Sequence, residues 1–379
     1  SSDLAIFAFE YGTANIVTRF NVDCCVLGEL HMKEFRLSFV VTFVCLVAAG
    51  YWGMNNGMGL LSALVLTSIL GIMEVSLSFD NAVVNASVLK DMDAKWQQLF
   101  LTVGILVAVF GMRLIFPIAI VSIATNLGLS DVANMALDRP EEYSQHLADS
   151  HAGIAAFGGM FLLLVFLSFI FDEGKEIHWL GAVEEKLAEI GKLDSVEVMV
   201  ALIALFGLQA WLPVDQDTRM TVLVAGLGGI ILYVAVSSLG SFFESEEDGD
   251  AAVAVAKRSG VAGFIYLEIL DASFSFDGVI GAFAITRDVV IIMLGLMIGA
   301  MFVRSLTVSL VRKGTLDEYV FLEHGALYAI GALSVIMLAG IVVHTPEVIT
   351  GLIGVAFIGL ALLSSVRYKK AEAKSNTTG

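Results

Sequence analysis

Cysteine is nearly missing from this chain. The three present, Cys24, Cys25 and Cys45, have neither the number nor the spacing of a disulfide framework or a zinc site, and no role falls to them. Charge is scarce too: 16% of the 379 residues are charged against 58% hydrophobic, which excludes an ordinary soluble domain and leaves nucleic acid out as a partner. No nucleotide-binding motif is present and nothing resembles a nucleophile with its base, so an enzyme is not expected. Residues 1–31 mix polar and apolar side chains without period and lack the charged, apolar and small-residue regions of a signal peptide. They are expected to be a non-native or disordered extension, with the natural start at Met32.

What the chain has instead is apolar blocks of about twenty residues and a mean hydropathy of +0.86. The expectation is an all-α polytopic membrane protein with about ten transmembrane helices. They run over 35–52, 57–89, 97–123, 152–171, 195–213, 219–243, 260–286, 288–311, 323–343 and 346–367. The second and seventh are long for a bilayer of about 30 Å, so each is expected to be tilted, bent or interrupted near its acidic motif. The formal charge of −17 lies mostly in loops and says little about partners.

Lysine and arginine are unevenly shared between the two sets of loops. One set holds Lys33, Arg36, Lys90, Lys95, Lys175, Lys186, Lys192, Lys257, Arg258, Arg312, Lys313, Arg367, Lys369, Lys370 and Lys374; the other holds only Arg139, Arg219 and Arg287. The positive-inside rule then puts both termini in the cytoplasm, which requires an even number of spans.

Two acidic stretches stand inside apolar runs, where ionised side chains are most expensive. Glu74-Val-Ser-Leu-Ser-Phe-Asp80-Asn81 is echoed by Asp271-Ala-Ser-Phe-Ser-Phe-Asp277-Gly278. Each is followed by a helix carrying an arginine (Arg113, Arg304) and then by one opening on a histidine and glycines (His151, His324). The two acidic spans differ by five places, an odd number, so the copies are inserted with opposite orientation. A five-plus-five inverted repeat follows, 32–213 against 214–368, with substrate expected near the midplane where the repeats meet. Between them, 172–194 alternates charge with Ile177, Leu180, Val183, Leu187 and Ile190 at helical spacing and reads as a cytoplasmic amphipathic linker helix. The acidic run Glu244 to Asp250 reads as a solvated loop, and 369–379 as a disordered cytoplasmic tail.

On continuous helices Glu74, Ser78 and Asn81 share one face and Asp80 shares another with Ser76. In the second copy Glu268, Asp271, Ser275 and Gly278 form the first face, Ser273 and Asp277 the second. Either the carboxylates converge, or one face lines a pathway while the other packs on a neighbour. Carboxylate, hydroxyl and amide oxygens without cysteine or histidine make a hard site, suited to manganese, calcium or magnesium. Facing carboxylates also raise one another's proton affinity, which would allow metal and proton to exchange at one site. Arg113 and Arg304 either compensate that charge or snorkel and pair with backbone carbonyls. His151 and His324 lie near helix ends and are expected to be satisfied interfacial histidines.

Glu74-x3-Ser78-x-Asp80-Asn81, Asp271-x3-Ser275-Phe276-Asp277 and the arginine helix after each resemble the TerC family, named for tellurium resistance, within the LysE-like transporter superfamily. The Ser-Phe-Asp-Asn and Ser-Phe-Asp-Gly pair is similar to a bacterial branch of that superfamily long filed as a domain of unknown function. The resemblance covers about residues 57 to 343. It implies a bacterial inner-membrane protein linked to manganese export, with the metal held through Glu74, Asp80, Asn81, Asp271 and Asp277. Gly278 departs from the serine of many members, which would remove one oxygen ligand.

The expectation drawn from residues and resemblance together is a secondary transporter exporting a divalent cation, manganese first, by alternating access. Its metal set is Glu74, Ser78, Asp80, Asn81, Glu268, Asp271, Ser275 and Asp277. Proton or sodium is the coupling ion, the lipid bilayer is the surround, no tightly bound cofactor is implied, and a homo-oligomer is compatible. A LysE-type exporter of small solutes such as amino acids would need an apolar pocket beside the acids. A non-transporting scaffold in metal or envelope stress would not require an inverted site.

Overall fold

The computed structural model describes residues 32–378 apart from 91, 105, 176, 194, 243–259, 313, 344 and 345. The expected extension at 1–31 and the acidic run Glu244 to Asp250 lie outside the described residues. All regular structure among the described residues is helical. In a bilayer a helix satisfies every backbone donor and acceptor within its own segment, so an apolar chain of this kind has little alternative. In chain order the helices are α1 (Met32–Asn55), α2 (Leu60–Leu77), α3 (Phe79–Leu89), α4 (Ala94–Leu99), two π-helical segments (Phe100–Gly104 and Val107–Ile115) and α5 (Phe116–Thr125). They continue with α6 (Leu129–Asp138), α7 (Pro140–Asp149), α8 (His151–Ile170), α9 (Ala182–Ile190), α10 (Val196–Trp211) and α11 (Gln216–Phe242). The last are α12 (Gly260–Ile285), α13 (Val289–Arg312), α14 (Thr315–Glu318), α15 (Leu322–Gly340) and α16 (Glu347–Thr378).

Each expected span coincides with a helix or a run of helices. Eight helices among the described residues are long and apolar enough to cross a membrane. The two expected spans outside that group have local reasons: α10 has 16 residues, and α12 carries Glu268, Asp271 and Asp277. Phe43, Ile72, Ile123, Phe206 and Trp211 are each more than two-thirds exposed, while Glu74, Asp80, Arg113, Glu268 and Asp271 are buried. Apolar residues outside and charge inside are what a bilayer demands, and the protein is a polytopic membrane protein.

α8 and α15 are the most buried spans and pack on each other at the centre. Around them α2 packs on α13 as the Val107–Ile115 segment packs on α12, and α3 packs on α15 as α12 packs on α8. These are the pairings that a twofold relation between the motif-bearing halves requires. The flanking spans do not follow it, since α1 lies along α13 and α2 while α11 lies chiefly along α8.

The helix ends are sorted. At one end Lys90 meets Glu323 (3.6 Å), Arg312 meets Glu34 (2.7 Å) and Lys369 meets Glu318 (3.8 Å). At the other, Arg287 meets Glu141 (3.7 Å) and Trp52 Nε1 donates to Asp288 Oδ2 (2.9 Å). The first is the lysine-rich end of the bundle. There the linker at 172–194 is, among the described residues, helical only over α9, and the irregular part is tied to the bundle. Glu184, fully buried, accepts from Trp179 N–H at 2.8 Å and from Tyr328 Oη at 2.5 Å, and His324 Nε2 lies 2.9 Å from the Ile177 carbonyl. The tail from Lys369 is not irregular as expected, because α16 continues as a helix to Thr378.

Candidate cation site in the membrane interior

The second span bends within its acidic motif. Ser78 separates α2 from α3 at φ −100° and ψ 17°, yet its N–H still donates to the Glu74 carbonyl at 3.0 Å, and Ala82 N–H donates to the Ser78 carbonyl at 3.2 Å. The helix is bent there without being unwound. The seventh span, α12, passes through the second motif uninterrupted, so the two copies are not deformed alike.

The first faces of the two helices meet. Glu74 Oε1 is ion-paired with Arg113 Nη2, and Ser78 Oγ donates to the same oxygen at 3.1 Å. Arg113 Nη1 lies 3.7 Å from Asp271 Oδ2 and donates to the Ala108 carbonyl at 2.7 Å. Asn81 Nδ2 donates to Asp271 Oδ1 at 2.8 Å, joining α3 to α12. Charges so deep survive only when paired and hydrogen-bonded, and here one guanidinium holds two carboxylates.

The sequence arranges this contact with absent side chains. A Cβ on Gly299 would stand 2.3 Å from the Glu74 Cβ, so only glycine lets α13 lie against α2 at the acid. A Cβ on Gly278 would stand 2.8 Å from Glu74 Oε2. The glycine expected to cost an oxygen ligand therefore admits the carboxylate of the other motif. Arg113 comes from the π-helical segment Val107–Ile115, whose wider turn sits at the junction with the Pro117-bearing α5.

The second faces go elsewhere. Asp80 accepts from Asn81 N–H at 3.0 Å and lies against Gly354 of α16, whereas Ser76 is exposed and donates to the Ile72 carbonyl. Ser273 faces Gly158 of α8. The side chain of Asp277 lies outside the described residues. Of the expected metal set, the structure thus brings Glu74, Ser78, Asn81 and Asp271 together, with Arg113 among them, and holds Asp80 apart. Ser275 is buried beyond them on α12 without a hydrogen-bond partner for its Oγ among the described residues.

Two cavities flank the cluster. Toward the end opposite the lysines, about 80 Å³ is lined by Asp80, His151 and Thr350 among apolar residues such as Leu77, Phe274 and Met337. On the lysine-rich side, about 40 Å³ is lined by Glu268, Asp271, Asn85, Arg113, Arg304 and Thr307. In that second cavity both Glu268 oxygens, Asp271 Oδ2 and Asn85 Oδ1 have no hydrogen-bond partner among the described residues. Arg304, expected to act as Arg113 does, lines this cavity, attracted by Glu34 and repelled by Arg312. Asn85 was not foreseen, although Asn81-x3-Asn85 is a same-face spacing that could have shown it. Among the described residues no group of three or more histidine, cysteine, aspartate or glutamate side chains is set to hold a metal ion.

The family model that matches the chain, over residues 79–372, is described as a protein of unknown function (DUF475). The match takes in Asp80, Asn81, Asn85, Arg113 and the whole second motif, and starts five residues after Glu74. No curated protein and no solved structure matches the chain.

Proposed function

We propose that this chain, which belongs to the family described as protein of unknown function (DUF475), is a secondary transporter that exports a divalent metal cation by alternating access. Support comes first from one observation: a buried cluster of Glu74, Arg113, Asp271 and Asn81 stands between two cavities that reach toward opposite ends of the bundle. Charged groups between two cavities fit a carrier whose substrate site lies near the midplane.

The donors are oxygens of carboxylate, amide and hydroxyl groups, which favour a hard cation; manganese is the first candidate, from the resemblance to TerC proteins, with calcium and magnesium behind it. In this state the carboxylates are apart and Arg113 sits between two of them. Seating a metal within the Glu74–Asp271 cluster itself therefore requires these two carboxylates to exchange their guanidinium contacts for the cation, with Asn81 Oδ1, which has no partner among the described residues, as a further ligand. The lysine-rich loops favour a cytoplasmic side for that end and for both termini, and the resemblance to TerC proteins favours a bacterial inner membrane. Moving two charges outward against about 100 mV costs about 4.6 kcal/mol, so a proton or sodium gradient has to drive it. A small-solute exporter would use the apolar walls around Asp80, but about 80 Å³ there falls short of the roughly 300 Å³ or more of ordinary ligand pockets.

The test is manganese flux in proteoliposomes with an imposed pH or sodium gradient, comparing the unaltered protein with Asp80→Asn and Asp271→Asn. Gradient-driven flux lost in both variants is expected. No flux in the unaltered protein would remove the metal and return weight to the solute or scaffold alternatives, whereas equal flux in all three would remove Asp80 and Asp271 from the pathway.

A further inference from the structure

We propose that the cavity on the lysine-rich side is the loading site of the transported cation, formed by Glu268, Asn85 and Asp271, and that the entering cation competes with Arg113 for Asp271. The proposal rests on the transport function above and names where its substrate first binds. Four acceptor atoms line this cavity without a donor among the described residues: Glu268 Oε1 and Oε2, Asp271 Oδ2 and Asn85 Oδ1. Glu268 and Asn85 are themselves more than nine-tenths buried. A buried acceptor left without a partner is expensive, and a set of them around one space, which Arg113 and Arg304 also line, leaves room for a further donor or a ligated cation. About 40 Å³ is room for a cation with two or so waters.

Arg113 supplies the competition. Its contact with Asp271, at 3.7 Å, is the looser of its two ion pairs, while Nη2 stays on Glu74 and Nη1 also holds the Ala108 carbonyl. A cation arriving at Glu268 takes over Asp271 Oδ2 with the guanidinium still anchored at Glu74. Asn81 keeps the other Asp271 oxygen at 2.8 Å, so the carboxylate is already aimed. Arg304 and Thr307 complete the polar lining, and Arg304 feels the attraction of Glu34 and the repulsion of Arg312. Gly104 contributes space, since a Cβ there would fall 2.5 Å from Glu268 Oε1. Arg113 thus acts as a tethered cation that holds the two halves together until substrate replaces it at Asp271.

Equilibrium binding of Mn²⁺ to the purified full chain in detergent tests this separately from transport. Glu268→Gln and Asn85→Ala are expected to weaken binding by about tenfold or more. Arg113→Gln is expected to tighten it about tenfold, because the competitor is gone. Arg113→Lys, which keeps the charge needed for folding but loses the two-pronged contact, is expected to tighten it by a smaller factor. Unchanged binding in Glu268→Gln, or weaker binding in both Arg113 variants, overturns the proposal while leaving transport standing. If the unaltered protein binds no Mn²⁺ in this assay and carries none across proteoliposomes, the transport function fails with it.

Discussion

Gly278 and Glu74 belong to different copies of the motif, and their contact explains why one copy ends in glycine where the other has asparagine. A side chain at 278 would push into a carboxylate already fixed by Arg113 and Ser78. Gly278→Ala is therefore expected to cost about 1–3 kcal/mol, read as a lower unfolding temperature in detergent. Combined with Glu74→Ala, which removes the obstructed carboxylate, its added cost should shrink; strict additivity of the two would count against the contact. The residue pattern alone paired Glu74 with Asp271 as equivalents. It could not show that the partner of Glu74 on α12 is Gly278, because equivalence under a repeat says nothing about which equivalent positions touch.

At the level of elements, α2 and α13 lie close because glycine recurs where they cross. Gly299→Ala would set a methyl group 2.3 Å from the Glu74 Cβ, and the helices would have to part. A large loss of folded protein is expected, whereas Gly207→Ala on α10, with nothing within 4 Å of its added Cβ, should be tolerated. Comparable yields of the two would contradict the packing. The linker at 172–194, tied to α15, offers a second element-scale check. Tyr328→Phe leaves the buried Glu184 with the Trp179 N–H and one oxygen unmatched, at a cost of about 1–3 kcal/mol. Faster proteolysis of the linker at 172–181 is the expected sign, and an unchanged rate would show that the hydrogen bond does not hold it. Hydropathy found the spans and helical spacing found α9, but neither foresaw the π-helical turn that carries Arg113, since π geometry leaves no period that apolar patterning reports.

For the whole molecule, the sorted ends make topology testable. In a background without Cys24, Cys25 and Cys45, Gln145→Cys is expected to react with a membrane-impermeant maleimide on intact cells and Lys186→Cys only after permeabilisation. Labelling of both from one side would refute the orientation. Composition and periodicity by themselves determined that the chain is helical, that it spans a bilayer many times and that two acid-bearing spans are the expensive ones, because a bilayer imposes length and polarity on each segment separately. The same patterning named Glu74, Asn81, Asp271 and Arg113. What only the tertiary structure decided is which faces meet: that Arg113, and not Arg304, joins Glu74 to Asp271, that Asp80 stands apart in a cavity of its own, and that Asn85 and Glu268 share the other. Those outcomes depend on how close two backbones come, and that distance is set by glycines and a bend at Ser78 acting between segments far apart in the chain.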